Sequence, residues 1–268
     1  MEENSQISSP AEPRVKIVGL GGAGTHALVQ IGATELGRVP MAAIHTHARV
    51  LQQWNGPRRI LIGVERTHGL GSGGDAELAR VMATTESAKI REAVDQCDLL
   101  FVVAGLGGGT GTGISPVVAR LAKEQGALVV AVVTLPYDFE GLRRHKQALA
   151  GVQTLRAEAD AVICVPNQKT SKLLDSNTTV LDAFAFTNEM LAEAMVGVYQ
   201  MLTRPGLINV DFAYLSSILR GRHVESALAT ARASGEHRAR DVVEKVLASP
   251  LLDGGRALSD ADQVLASV

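Results

Sequence analysis

Nearly unbroken apolar runs alternate along this chain with longer stretches whose apolar positions recur every three to four residues. The runs are RVKIVGL (14–20), PMAAIHT (40–46), RRILIGV (58–64), DLLFVVAGL (98–106), ALVVAVVTL (127–135) and AVICVP (161–166). Most lack polar alternation, as expected of strands buried on both faces. The intervening stretches predict helices over about 23–36, 76–96, 113–125, 141–157 and 180–203. Strand and helix in alternation predict an α/β fold, a Rossmann-like parallel sheet with helices on both faces. The last helix is long and mostly apolar, and Pro205 and Gly206 stop it. A domain boundary falls there. Residues 1–13 read as a disordered tail, 14–179 as one domain, 180–203 as a central helix, and 204–268 as a loop followed by helices with no convincing sheet.

Composition narrows the function. With 268 residues and 46% hydrophobic side chains, the chain can bury a sizeable core. Its 26 basic residues nearly balance its 28 acidic ones, so no global field argues for nucleic acid or an anionic membrane, and any anion must be bound locally. No apolar run approaches a membrane span, and the N-terminal segment lacks the features of a signal peptide. Cys97 and Cys164 read as buried thiols in a reducing cytoplasm.

Three glycine-rich turns follow strands: GLGGAGTH (19–26), GLGSGGD (69–75) and GLGGGTGTG (105–113). In an open α/β sheet such loops lie where ligands bind, and a helix starting there aims free N–H groups at an anion. Glycine leaves no Cβ between backbone and ligand, so several such loops suggest a multi-phosphate group. The GxGxxG match at 19–24 equally suits a dinucleotide site, but the acidic residue expected after the second strand is absent from IHTHAR (44–49). The loop at 105–113 lacks the lysine of a GKS or GKT phosphate loop.

The run GGGTGTG at 107–113, with VKIVGLGGAG, TLPYDFEGLRR, VPNQK, LDAFAFTN, TRPGLINVDFA and ASPLL in order, resembles the tubulin and FtsZ family over residues 14–252. The resemblance implies a GTP-binding domain, a long central helix and a smaller second domain. It also implies cytoplasmic subunits that stack head to tail into filaments at the cell-division site, with no nucleic acid bound and no membrane insertion. GTP or GDP and Mg²⁺ are the implied cofactors, with no metal ligand assigned. Gly21, Gly22, Ala23, Gly24, Thr25 and His26 correspond to the first phosphate turn. Gly107, Gly108, Gly109, Thr110, Gly111, Thr112 and Gly113 correspond to the main phosphate cradle, with hydroxyl donors from the two threonines. Glu140 and Arg144 resemble the pair near ribose and phosphates, Asn167 a nucleoside contact, and Phe184 and Asn188 the residues that stack on and hydrogen-bond guanine. Asp211 resembles the acid that one subunit inserts into its neighbour's nucleotide pocket.

The chain also departs from that pattern. Tyr214 stands where the family has a second acid, so hydrolysis is expected to be slowed; His26 replaces an asparagine that helps read guanine. His45 and His47 replace an Asn and an Asp after the second strand, removing a carboxylate, and read as tolerated substitutions. Asp75 reads as a helix N-cap. Asp211 divides evenly between capping a helix at 212–220 and catalysis in trans. Ending at Val268, the chain stops short of several family strands, so the second domain reads as truncated and its grip on the next subunit as reduced. Three function classes stand: a filament-forming GTPase of reduced activity, a non-hydrolysing GTP-binding partner of a fuller relative or of other division proteins, and, more remotely, a Rossmann oxidoreductase.

Overall fold

A computed structural model describes residues 13–175, 177–204, 211–220 and 224–266; most of the N-terminal tail and the loop at 205–210 lie outside the described residues. The strands are β1 (Val15–Leu20), β2 (Met41–His45), β3 (Arg58–Leu61), β4 (Leu99–Gly105), β5 (Leu128–Leu135), β6 (Ala161–Pro166) and β7 (Val224–Ser226). They form one parallel sheet in the order β3-β2-β1-β4-β5-β6-β7. The six strands expected from the apolar runs are all present. The seventh is a difference: three residues in a stretch expected to lack sheet pair with β6. So short a strand leaves almost no apolar pattern to read.

Alternation within the central strands feeds two cores. Leu100, Val102 and Ala104 of β4, with Val129, Ala131 and Val133 of β5, face one side. Leu99, Phe101 and Val103, with Leu128, Val130 and Val132, face the other. The first core is closed by α4 (Ala76–Thr85), α5 (Ser87–Val94), α6 (Gly109–Glu124) and α7 (Leu142–Glu158). The second is closed by α1 (Gly21–Gly32), α2 (Ala48–Gln52), α9 (Val180–Thr203) and α10 (Phe212–Leu219). Short helices α3 (Val64–Thr67) and α8 (Asn167–Thr170) lie in loops, and α11 (Arg238–Leu247) and α12 (Arg256–Ser259) follow β7. Cys97 is buried as expected, whereas Cys164 is only half-buried.

Three helices differ from the periodicity, the first of them, expected over 23–36, running over Gly21–Gly32. The helix expected over 76–96 breaks at Glu86, whose carboxylate accepts the Gly63 N–H at 2.7 Å and so holds the β3–α3 turn. The helix expected from 113 begins at Gly109, so its first turn is built from the glycine–threonine run itself. Asp75 does cap α4, accepting the Leu78 N–H at 2.9 Å.

Candidate functional site

All three glycine-rich turns meet at the carboxyl edge of the sheet, where they line a cleft of about 430 Å³. Two helices open onto it, α1 at Gly21 and α6 at Gly109. Neither has a side-chain cap or an acidic residue in its first turn. Asp75, Thr179 and Asp211 cap α4, α9 and α10, while α2, α5, α7 and α11 also start without a side-chain cap. Unmet N–H groups and two positive dipole ends are therefore directed at one cleft, and an anion satisfies both.

The glycines there serve two purposes. A Cβ on Gly111 would sit 2.4 Å from the Gly105 carbonyl, and one on Gly113 would sit 2.1 Å from the Ala76 carbonyl. These residues let α6 lie against the sheet and α4. Gly22 and Gly108 face open space, with nothing within 4 Å of a built Cβ. At those two positions, as at Gly73 and Gly74, the backbone is open to the cleft.

Hydroxyls lock the loops around this surface. Thr110 and Thr46 share a hydrogen bond of 2.7 Å, and the Ser72 N–H donates to Thr46 at 3.2 Å. Gln147 donates from α7 to the carbonyls of Gly74 and Gly107 at 3.0 and 3.1 Å. On the opposite rim Glu140 accepts the Tyr137 N–H and pairs with Arg144 at 2.6 Å. Phe184, 36% exposed, forms a T-shaped pair with Tyr137 with ring centroids 5.3 Å apart, and its ring is partly open at the cleft. Asn167 lies behind it, and its buried Oδ1 has no partner within the chain.

Of the residues expected at the site, Gly21, Gly22, Ala23, Gly108, Gly109, Thr110, Gly111, Glu140, Arg144, Asn167 and Phe184 line the cleft. Others support it from behind. Gly24 packs on the Val103 carbonyl, and Thr25 donates to the Gly21 carbonyl at 2.8 Å. The Thr112 hydroxyl, expected as a phosphate donor, instead accepts the Gly107 N–H at 2.8 Å. Gly107, Gly113, His26 and Asn188 are not among the lining residues. Thr46, Ser72 and Gln147 were not singled out from sequence, because lone hydroxyl and amide residues carry no motif.

His45 and His47, read as tolerated substitutions, both line the cleft. His45 is 8% exposed, and its Nδ1 accepts the His47 N–H at 2.8 Å. Burial, reinforced by His47 and His26, pushes its pKa down to about 4.

Asp211 stands outside the cleft, between two residues that reach the amino edge of the sheet. The central helix α9 carries Phe184 at the cleft and ends with Arg204, which pairs at 2.8 Å with Glu35 beyond α1, at the amino edge of the sheet. The last residue after α10, Arg220, donates to the Gly126 carbonyl before β5, also at that edge. Asp211 begins α10 and accepts the Tyr214 N–H at 2.6 Å. It does not line the cleft of its own chain.

The model of the Tubulin/FtsZ family, GTPase domain, matches residues 14–175. Cell division protein FtsZ of Coxiella burnetii is 39% identical over 246 residues, covering 92% of this chain and 64% of that protein. Cell division protein FtsZ 1 of Pyrococcus abyssi is 37% identical over 252 residues, covering 94% and 67%. The chain thus spans about two-thirds of the length of these relatives. Among solved structures, an empty FtsZ dimer from M. jannaschii superposes with a TM-score of 0.84 at 36% identity, covering 91% of this chain and 70% of that one. CetZ2 from Haloferax volcanii, as a GTPγS-bound protofilament, gives 0.74 at 28% identity, covering 88% and 71%. Motif order, sheet topology and these likenesses agree: the chain belongs to the tubulin/FtsZ family.

Proposed function

We propose that the cleft binds GTP and GDP and that GTP is hydrolysed when a second subunit stacks head to tail over it, in filaments at the division site. The observation that carries this reading is the pair of uncapped helix N-termini, α1 and α6, converging where Gly22 and Gly108 leave the backbone open. Phosphates bound there would accept N–H groups that have no partner within the chain. The partly open ring of Phe184 suits a planar base, and the unpartnered Asn167 Oδ1 suits a donor on the nucleoside. Glu140 and Arg144 then flank the ribose and phosphates.

Hydrolysis is an in-line displacement: the oxygen of a water bonds to the γ-phosphorus, the bridging β–γ oxygen leaves with GDP, and the water's proton passes to the released phosphate. Positioning and charge stabilisation supply the rate. The placement of Asp211 outside its own cleft, beyond the far end of α9, supports a role in the next subunit's cleft, orienting that water. Tyr214 brings a phenol where the family pattern has a second carboxylate, which supports a reduced rate. A divalent cation is not matched by the chain's own donors. Glu140, the sole acid among the lining residues, is already paired with Arg144, and no group of three or more His, Cys, Asp or Glu residues suited to a metal occurs among the described residues. Mg²⁺ would arrive as the counter-ion of the phosphates.

A second reading is favoured by Asp211 itself, whose carboxylate is engaged in capping α10: a nucleotide-binding, non-hydrolysing partner that joins filaments of a longer relative. Phosphate release from GTP, measured against protein concentration with light scattering and with GDP and ATP controls, separates the two. A rate per subunit that climbs above a threshold together with scattering is expected of a filament GTPase. Flat turnover with tight GTP binding selects the partner reading, and tight NAD binding without GTP binding overturns both.

A further inference from the structure

Among the lining residues, an acid is absent from the β2 side of the cleft, and two imidazoles stand there instead. His45 ends β2 and His47 precedes α2, with Thr46 between them bonded to Thr110 of the glycine run. The ring centroids are 6.4 Å apart and perpendicular. Because the His47 N–H donates to His45 Nδ1, that nitrogen must keep its lone pair, and the His45 proton resides on Nε2. Protonating Nδ1 would set two donors against each other. The other ring differs: His47 Nδ1 is buried and has no hydrogen-bond partner within the chain. A buried imidazole nitrogen without a partner is a costly feature to keep, and it belongs to a residue on the wall of an anion-directed cleft.

The surroundings favour a charge of one sign. The ionisable groups acting on His45 are His47 and His26 of α1. The loop facing His47 brings Leu70, Gly71 and Ser72, none of them charged. Asp75, just beyond, is turned into its own cap on α4. Across the cleft Glu140 and Arg144 neutralise each other, while Arg49 of α2 and His68 are exposed. Among the lining residues no carboxylate stands on this side of the cleft, so the histidine wall is left free to face an anion.

We propose that His47 meets the terminal phosphate of the bound ligand as an imidazolium, so that a proton enters the cleft with the phosphates and supplies counter-charge on the side where no carboxylate can hold a cation. His45 is the positioning residue: its fixed tautomer anchors the His47 backbone and orients the turn. The proposal rests on the phosphate-binding reading of the cleft and adds to it a proton-coupled mode of recognition. A neutral amide at position 47 can hydrogen-bond a phosphate but cannot bring the charge.

Calorimetric titration with GDP and with pyrophosphate, in EDTA at pH 7, in two buffers of different ionisation enthalpy, reads the protons taken up per ligand. Wild-type protein is expected to take up at least about half a proton more than His47→Gln, the ligand's own ionisation being common to both, and to bind about tenfold more tightly. His45→Asn, which frees the turn, is expected to lose part of that difference. Equal proton uptake in wild type and His47→Gln with either probe overturns the proposal. Pyrophosphate binding with the expected proton difference but no GDP binding supports the imidazolium and overturns the nucleotide reading instead.

Discussion

Gly108 and Gly111 are three positions apart in one motif and answer to different neighbours. Gly111→Ala places a methyl 2.4 Å from the Gly105 carbonyl, in backbone that cannot retreat, and is expected to destabilise the fold by about 3 kcal/mol, measured by urea unfolding. Gly108→Ala meets nothing within 4 Å at an extended backbone conformation. It should keep stability within about 1 kcal/mol while weakening nucleotide binding by tenfold or more, read by titration with a fluorescent GDP analogue; unchanged affinity would remove Gly108 from the phosphate site. His45 carries a prediction in pH. Its folded pKa of about 4 lies below the ordinary 6.5, so between these values the unfolded chain binds the proton and the native one does not. Stability is therefore lost as pH falls from 6.5 toward 4, by about 2 kcal/mol at pH 5. Melting curves at pH 7.5 and 5 should show that extra loss in wild type and its absence in His45→Asn.

At the scale of elements, α10 separates two roles of one side chain. Asparagine caps helices about as well as aspartate, so Asp211→Asn should leave stability within about 0.5 kcal/mol of wild type. If the carboxylate orients water in a neighbouring cleft, turnover should nonetheless fall a hundredfold or more. Equal rates in the two proteins would leave Asp211 as a cap alone. Tyr214 is 55% exposed on the same turn, so Tyr214→Asp is sterically free and puts a second acid beside the first. Phosphate release by that variant should exceed wild type by tenfold or more if the tyrosine limits hydrolysis, and an unchanged rate would place the limit elsewhere.

At the scale of the whole molecule, α9 runs from the cleft at Phe184 to the opposite edge of the sheet at Arg204, so the cleft and the segment that carries Asp211 adjoin opposite ends of one helix. That polarity suits a heterologous head-to-tail contact and can be tested by complementation. A cleft variant such as Gly108→Ala mixed equally with Asp211→Asn should recover roughly a quarter of wild-type turnover, the share of interfaces pairing an intact cleft with an intact acid; no recovery would deny a shared site. What the sequence by itself determined was element type and family. Short continuous apolar runs between turn signals read as strands buried on both faces and the one long apolar stretch as the central helix, and six strands and that helix are present. The ordered glycine motifs mark the carboxyl-edge loops. Tertiary structure decided which of those glycines serve a ligand. Gly111 and Gly113 are needed by carbonyls on β4 and α4, and Thr112 by the Gly107 N–H; such partners lie on other elements or across a turn and leave no periodic trace. It also decided that His45 and His47, which match no motif, stand in the wall of the cleft, because strand order places the end of β2 between the glycine-rich turns that follow β1 and β3.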